Sequence, residues 1–105
     1  MRNIGELMAK AHKVQSQMTI LQTKMAEQEF EGNAAGGAVT VVLTGKGNAV
    51  RVHVEKTALE DTETLEDLLV VAINDSREKA ENYLNAEMQK MQASLGLPPD
   101  FKMPF

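Results

Sequence analysis

Two histidines, His12 and His53, are the only imidazoles in the 105 residues, and the chain has no cysteine. Metal binding and acid–base chemistry need such groups to converge. Neither histidine has a second His one helical turn away, and no HExxH pattern exists. We therefore expect no metal site and no cofactor. Without cysteine there are no disulfides, thiolate nucleophiles or Cys-ligated zinc, which fits a reducing cytoplasm. Gly45-Lys46-Gly47 invites a phosphate-loop reading, but the GxxxxGK[ST] signature is missing and no helix pattern follows. A hairpin turn is the better reading. Glu60, Asp61, Glu63, Glu66 and Asp67 read as helix caps and a solvated face. A paired-carboxylate centre needs a pocket, for which three short strands leave little room. Asn74-Asp75-Ser76 has the glycosylation spacing but falls inside a helical pattern and is discounted. No enzyme and no small-molecule substrate is expected.

Phosphate contact is the chemistry that survives. Net charge is −4, which argues against a strongly basic nucleic-acid binder. The distribution is uneven, however. Residues 1–26 carry Arg2, Lys10, Lys13 and Lys24 against Glu6 alone, a net +3, while the rest of the chain is acidic. Aromatics are only 4%, too few for the stacking platforms of single-strand binders. No helix-turn-helix or zinc-finger pattern appears. Lysines and arginines that touch only phosphates would give salt-sensitive binding with little base reading.

The elements that must position these groups follow from periodicity. Ile4, Leu7, Ala11, Val14, Met18, Leu21 and Met25 alternate in steps of three and four, an a/d heptad seam. The spacing predicts one long helix over residues 4–25, working by packing against another helix, most simply in a homodimer. Part of the seam is expected to rest on the domain's own sheet, with the outer end meeting a partner. With Ile4 at position a, Lys10 and Lys24 fall at g, Lys13 at c and Arg2 at f, all clear of the seam. Glu29–Glu31 predicts a short strand before a turn at residues 32–37. Ala38–Thr44 and Val50–Glu55 predict two more strands around the Gly45–Asn48 turn, the last with Val50, Val52 and Val54 on one face and a wet opposite face. Thr57–Glu60 has capping-box spacing. Asp61 or Thr62 is positioned to cap a second long helix, whose apolar spacing runs from Leu65 to Leu95. Gly96 ends it, and Pro98-Pro99 prevents its resumption. Residues 96–105 read as an extended apolar tail, a strap on the body or on another subunit. Met18, Met25, Met88 and Met91 sit on helical seams and are expected to pack. One α+β domain over residues 1–105 is expected, in the order α-β-β-β-α. No run of 18 apolar residues suggests a membrane span, and the opening residues lack the apolar core of a signal peptide.

Read together, these segments resemble a family. Asn3-Ile4-Gly5-Glu6-Leu7-Met8 with Gln15-Ser16-Gln17-Met18, Glu29–Gly37, Leu59-Glu60-Asp61, Leu65–Leu68, Asn74-Asp75 and the ending Leu97–Phe105 are similar, in order and spacing, to the YbaB/EbfC nucleoid-associated proteins of bacteria. The chain departs from them at Lys56-Thr57, where relatives often carry Pro-Ser, and in placing Thr19, Ile20 and Thr23 on outward positions of a less basic first helix. The resemblance implies a tweezer-like, intertwined homodimer that binds double-stranded DNA with low sequence specificity, in nucleoid organisation and gene regulation. It implies a cytoplasmic, nucleoid-bound protein without a membrane partner. On this reading Arg2, Lys10, Lys13 and Lys24 contact phosphates and His12 assists when protonated. Arg77, Lys79 and Lys90 come second. The alternative is a dimeric adaptor whose helices and apolar tail grip another protein.

Overall fold

A computed structural model describes residues 4–96. Arg2 and the tail from Leu97 onward lie outside the described residues. Helix α1 (Ile4–Glu27) leads into strand β1 (Glu29–Ala34), a short 3-10 turn (Ala35–Gly37), strands β2 (Val39–Thr44) and β3 (Ala49–Val54), a second 3-10 turn (Lys56–Leu59) and helix α2 (Thr62–Ser94). The sheet is antiparallel in the order β1-β2-β3, and the expected α-β-β-β-α fold is observed.

Two apolar clusters hold it. Under the sheet, Ala34, Val39, Val41 and Leu43 pack with Ala58 and Ala72, joined by Leu65, Leu68 and Leu69 of α2. Beyond the sheet, Val14, Met18, Leu21 and Met25 of α1 pack with Phe30, Met91 and Leu95, flanked by Tyr83, Leu84 and Met88. The seam's main partner is thus α2 of the same chain, with the sheet reached at its inner end, where Phe30 of β1 joins the cluster and Met25 lies against Gly45. The two helices leave the sheet side by side as one arm. The radius of gyration is 19.0 Å and the long axis 69 Å, against about 13 Å for a compact domain of this length.

Direct backbone packing joins α2 to β1. A Cβ on Gly32 would overlap the Ala72 carbonyl oxygen and the Ser76 backbone nitrogen. Only glycine permits that approach. Gly32, Asn33 and Ala34 consequently belong to the strand, paired with Val41, Thr40 and Val39. The turn expected from residue 32 begins only at Ala35. Ser76 is fully buried, and its hydroxyl donates to the Phe30 carbonyl oxygen at 2.6 Å. Asn33 N–H donates to Asp75 Oδ2 at 2.9 Å, and Lys79 Nζ donates to the Glu31 carbonyl oxygen at 2.8 Å. Three backbone groups of β1 are thereby bonded by α2 side chains, which cover this edge of the sheet.

The other edge differs from expectation. α2 covers β1 and β2 but leaves β3 bare. Val50 is 48% exposed and Val52 53%. A register shift opposite Val42 and Leu43 pairs Val42 with Arg51 and Leu43 with Ala49. Val50 is therefore the extra residue of a bulge and leaves the Val52–Val54 alternation. Neither face of β3 is dry. The capping box at Thr57 is also corrected. Glu55 precedes that turn without a side-chain cap, because the segment closes as a 3-10 turn through Ala58 N–H to the Glu55 carbonyl oxygen at 3.0 Å. Asp61 caps α2, accepting from Glu63 N–H at 3.3 Å and from Thr64 Oγ1 at 2.6 Å. Gly96, at φ +69°, ends it.

Candidate nucleic-acid interface

The heptad places the seam of α1 against α2, and this fixes where its lysines point. At 100° per residue, Lys10, Lys13 and Lys24 fall within about 60° of one another on one flank of α1. All three are exposed. From Lys10 to Lys24 the flank rises about 21 Å along the axis. Gln17 lies on it, and Ile20 lies at its margin. His12 lies about 100° or more away, on the opposite flank among Thr19 and Thr23, whose hydroxyls bond back to the Gln15 and Thr19 carbonyl oxygens.

α2 adds one cation to this flank. Gln17, Ile20, Leu21 and Lys24 of α1 line a cleft with Glu87, Lys90 and Met91 of α2. Lys24 and Lys90, 66 positions apart in the chain, share one opening. The other two second-choice residues go elsewhere. Arg77 faces the β3 side beside Glu81. Lys79 bonds Glu31 and lies 3.4 Å from Asp75, so it serves the β1 edge. Helical spacing shows the Asp75–Lys79 pair, four residues apart, but not the Glu31 carbonyl, which sits on a distant strand.

The sequence placed Asp75 and Ser76 in a discounted sequon, and Asp75 in a motif of the family resemblance, but gave neither a structural role. Both carry the α2–β1 joint. The Asp75 carboxyl is held below its ordinary 3.8 chiefly by the Asn33 N–H, with Lys79 assisting. The Asp61 carboxyl is lowered mainly by the Thr64 hydroxyl.

A second feature lies at the bare sheet edge. Val41, Leu43 and Val52 face Leu69, Ile73, Ala80 and Leu84 across an open groove of about 740 Å³. The strands leave more room than expected. The groove is mostly apolar, and among the described residues no three His, Asp or Glu side chains gather as a metal site. Nor is any described helix long and apolar enough to cross a membrane.

Comparisons with known proteins agree with the fold. The chain is 42% identical to a nucleoid-associated protein of Rhodospirillum centenum, with all of both chains covered. It is 40% identical to a nucleoid-associated protein of Hahella chejuensis, over 98% of this chain and 96% of that one. A solved structure, that of an uncharacterized protein from Helicobacter pylori, superposes with a TM-score of 0.71 at 23% identity, covering 84% of this chain and 95% of the other. The family described as the YbaB/EbfC DNA-binding family matches residues 1–95. With α1, the sheet and α2 all inside that match, the chain belongs to the YbaB/EbfC DNA-binding family.

Proposed function

We propose that this protein binds double-stranded DNA as a homodimer with low sequence specificity, in the organisation of the nucleoid and in gene regulation, and that it is not an enzyme. One observation carries the reading. The three exposed lysines of α1 share a flank, and the fold brings Lys90 of α2 to its end. That makes a cationic track about 21 Å long on a protein of net charge −4. Arg2, outside the described residues, is kept as a further phosphate contact on its charge alone. Lysines at this spacing meet phosphates and carry no base code. Membership of a DNA-binding family supports the same partner.

The bare β3 edge and its apolar groove support a second copy as the occupant. A chain of this length leaves a marginal core, and an uncovered strand with two exposed valines invites pairing. A homodimer also doubles the cationic tracks.

Retardation of a short duplex tests the reading. Lys10→Glu with Lys13→Glu is expected to abolish binding while the molar mass of the free protein stays that of two chains. Retained binding by that variant overturns the track. Absence of binding by the native protein at low salt favours the adaptor alternative.

A further inference from the structure

The flank of α2 beside the bare β3 edge carries a self-complementary pattern. Ile73 and Arg77 line the apolar groove. Glu66 and Val70 continue that flank toward the start of the helix, and at 100° per residue all four fall within about 60° of one another. All four are exposed, Val70 at 58% and Ile73 at 39%. Their order is acid, apolar, apolar, base, in steps of four, three and four. The spacing reads the same in both directions, and reversal exchanges the two charges. Among the described residues neither Glu66 nor Arg77 has an ionic partner, Glu81 one turn beyond Arg77 included. Nor can the two serve each other within one chain, because eleven residues of helix set them about 16 Å apart.

We propose that two copies of the chain meet through this flank, α2 against α2 in antiparallel order, about a two-fold axis level with the midpoint of Val70 and Ile73. The inference rests on the homodimer reading and specifies its contact. Glu66 of each chain then faces Arg77 of the partner subunit, and Val70 faces Ile73 of the partner subunit. Three observations support this occupant. The first is charge complementarity. A two-fold interface sets one patch against itself, and in antiparallel order this patch brings acid to base at both ends. Parallel order would set Glu66 on Glu66 and Arg77 on Arg77, a repulsion at each end. The second is burial. A charge drawn out of water beside Val70 and Ile73 needs an opposite charge, which a second copy supplies and the chain itself does not. The third is room. α1 packs with Met88, Met91 and Leu95 near the far end of α2. Antiparallel order about this midpoint sends the partner's arm the other way, clear of α1. A helix seated here also shields Ile73 and the groove beside it.

Charge exchange in the full-length protein tests it, read as the dimer dissociation constant by analytical ultracentrifugation. Glu66→Arg sets Arg against Arg across the interface, and Arg77→Glu sets Glu against Glu. Each alone is expected to weaken the dimer about tenfold or more, with helical content retained. Glu66→Arg together with Arg77→Glu restores opposite charges and is expected to return the constant to within about threefold of the native value. Rescue in the double variant reports pairing between chains, because the two positions lie too far apart on one helix to pair. Single variants that dimerise like the native protein overturn the antiparallel contact, and so does a double variant as weak as the singles; in both cases the homodimer stands. A native protein that stays a single chain at every concentration overturns the homodimer and this contact with it.

Discussion

The Ser76 hydroxyl donates to the Phe30 carbonyl oxygen at 2.6 Å, from a side chain that is wholly buried. This bond crosses from the middle of α2 to the start of β1. Ser76 is itself part of the contact between α2 and Gly32, whose other half, Ala72, lies one helical turn away. Beside it the Phe30 and Tyr83 rings meet at 5.6 Å, tilted by 58°. Here the sheet and the helical arm become one body, so errors at this joint should be felt by both.

Gly32→Ala is therefore expected to be among the most damaging single-methyl changes. Its Cβ meets backbone, which cannot rotate away. The expected loss is about 3 kcal/mol. Ser76→Ala leaves the fold intact and removes one buried hydrogen bond, for about 1 kcal/mol. Thermal or urea unfolding of the two variants should rank them in that order. Equal losses would mean that α2 does not rest on Gly32.

The acid limb of stability should depend on Asp75. Its carboxyl is lowered in the folded state by the Asn33 N–H and Lys79. Its contribution is therefore present above 3.8, the ordinary value, and is lost as pH falls through the lower folded value. Asp61 acts in the same direction. Asp75→Asn should flatten, without abolishing, the fall in melting temperature between about pH 5 and about pH 2. A curve parallel to that of the native protein would contradict the assignment.

DNA binding should report the grouping of Lys24 with Lys90. Replacing both by Gln is expected to weaken binding to any duplex. The slope of log affinity against log salt should fall by about 0.9 for each phosphate no longer neutralised. His12→Ala should leave binding unchanged at neutral pH, because its flank faces away from the track. A larger effect from His12 than from the lysine pair would move the interface to the other side of α1.

Assembly should depend on the groove at β3. Val52→Asp or Ile73→Asp places a charge among Leu69, Leu84 and Leu43 at no cost to the core that α2 already covers. Light scattering should then find the molar mass of one chain where the native protein shows two, with the helical content retained. A native mass of one chain would refute the homodimer itself.

Much of the architecture is local information and is readable as such. The three-four spacing of Ile4 to Met25 makes one helix, the Gly45–Asn48 turn joins β2 to β3, and α2 is bracketed by the Asp61 carboxylate and by Gly96 at positive φ. Periodicity also says which face of each element is apolar. It does not say what covers that face, because the covering element is distant in sequence. Only the packed chain decided that α2 covers Val14 to Met25 and leaves Ile4 to Ala11 bare. The bare edge of β3 arises the same way, from where α2 comes to rest. The cationic residues divide similarly. Lys10, Lys13 and Lys24 share a flank by helical geometry alone. Lys90 joins them, and Lys79 reaches the Glu31 carbonyl oxygen, because tertiary packing sets the level at which each turn of α2 passes its neighbours. Local spacing determined the faces of this protein; the long-range fit of α2 onto Gly32 decided which of those faces remain open.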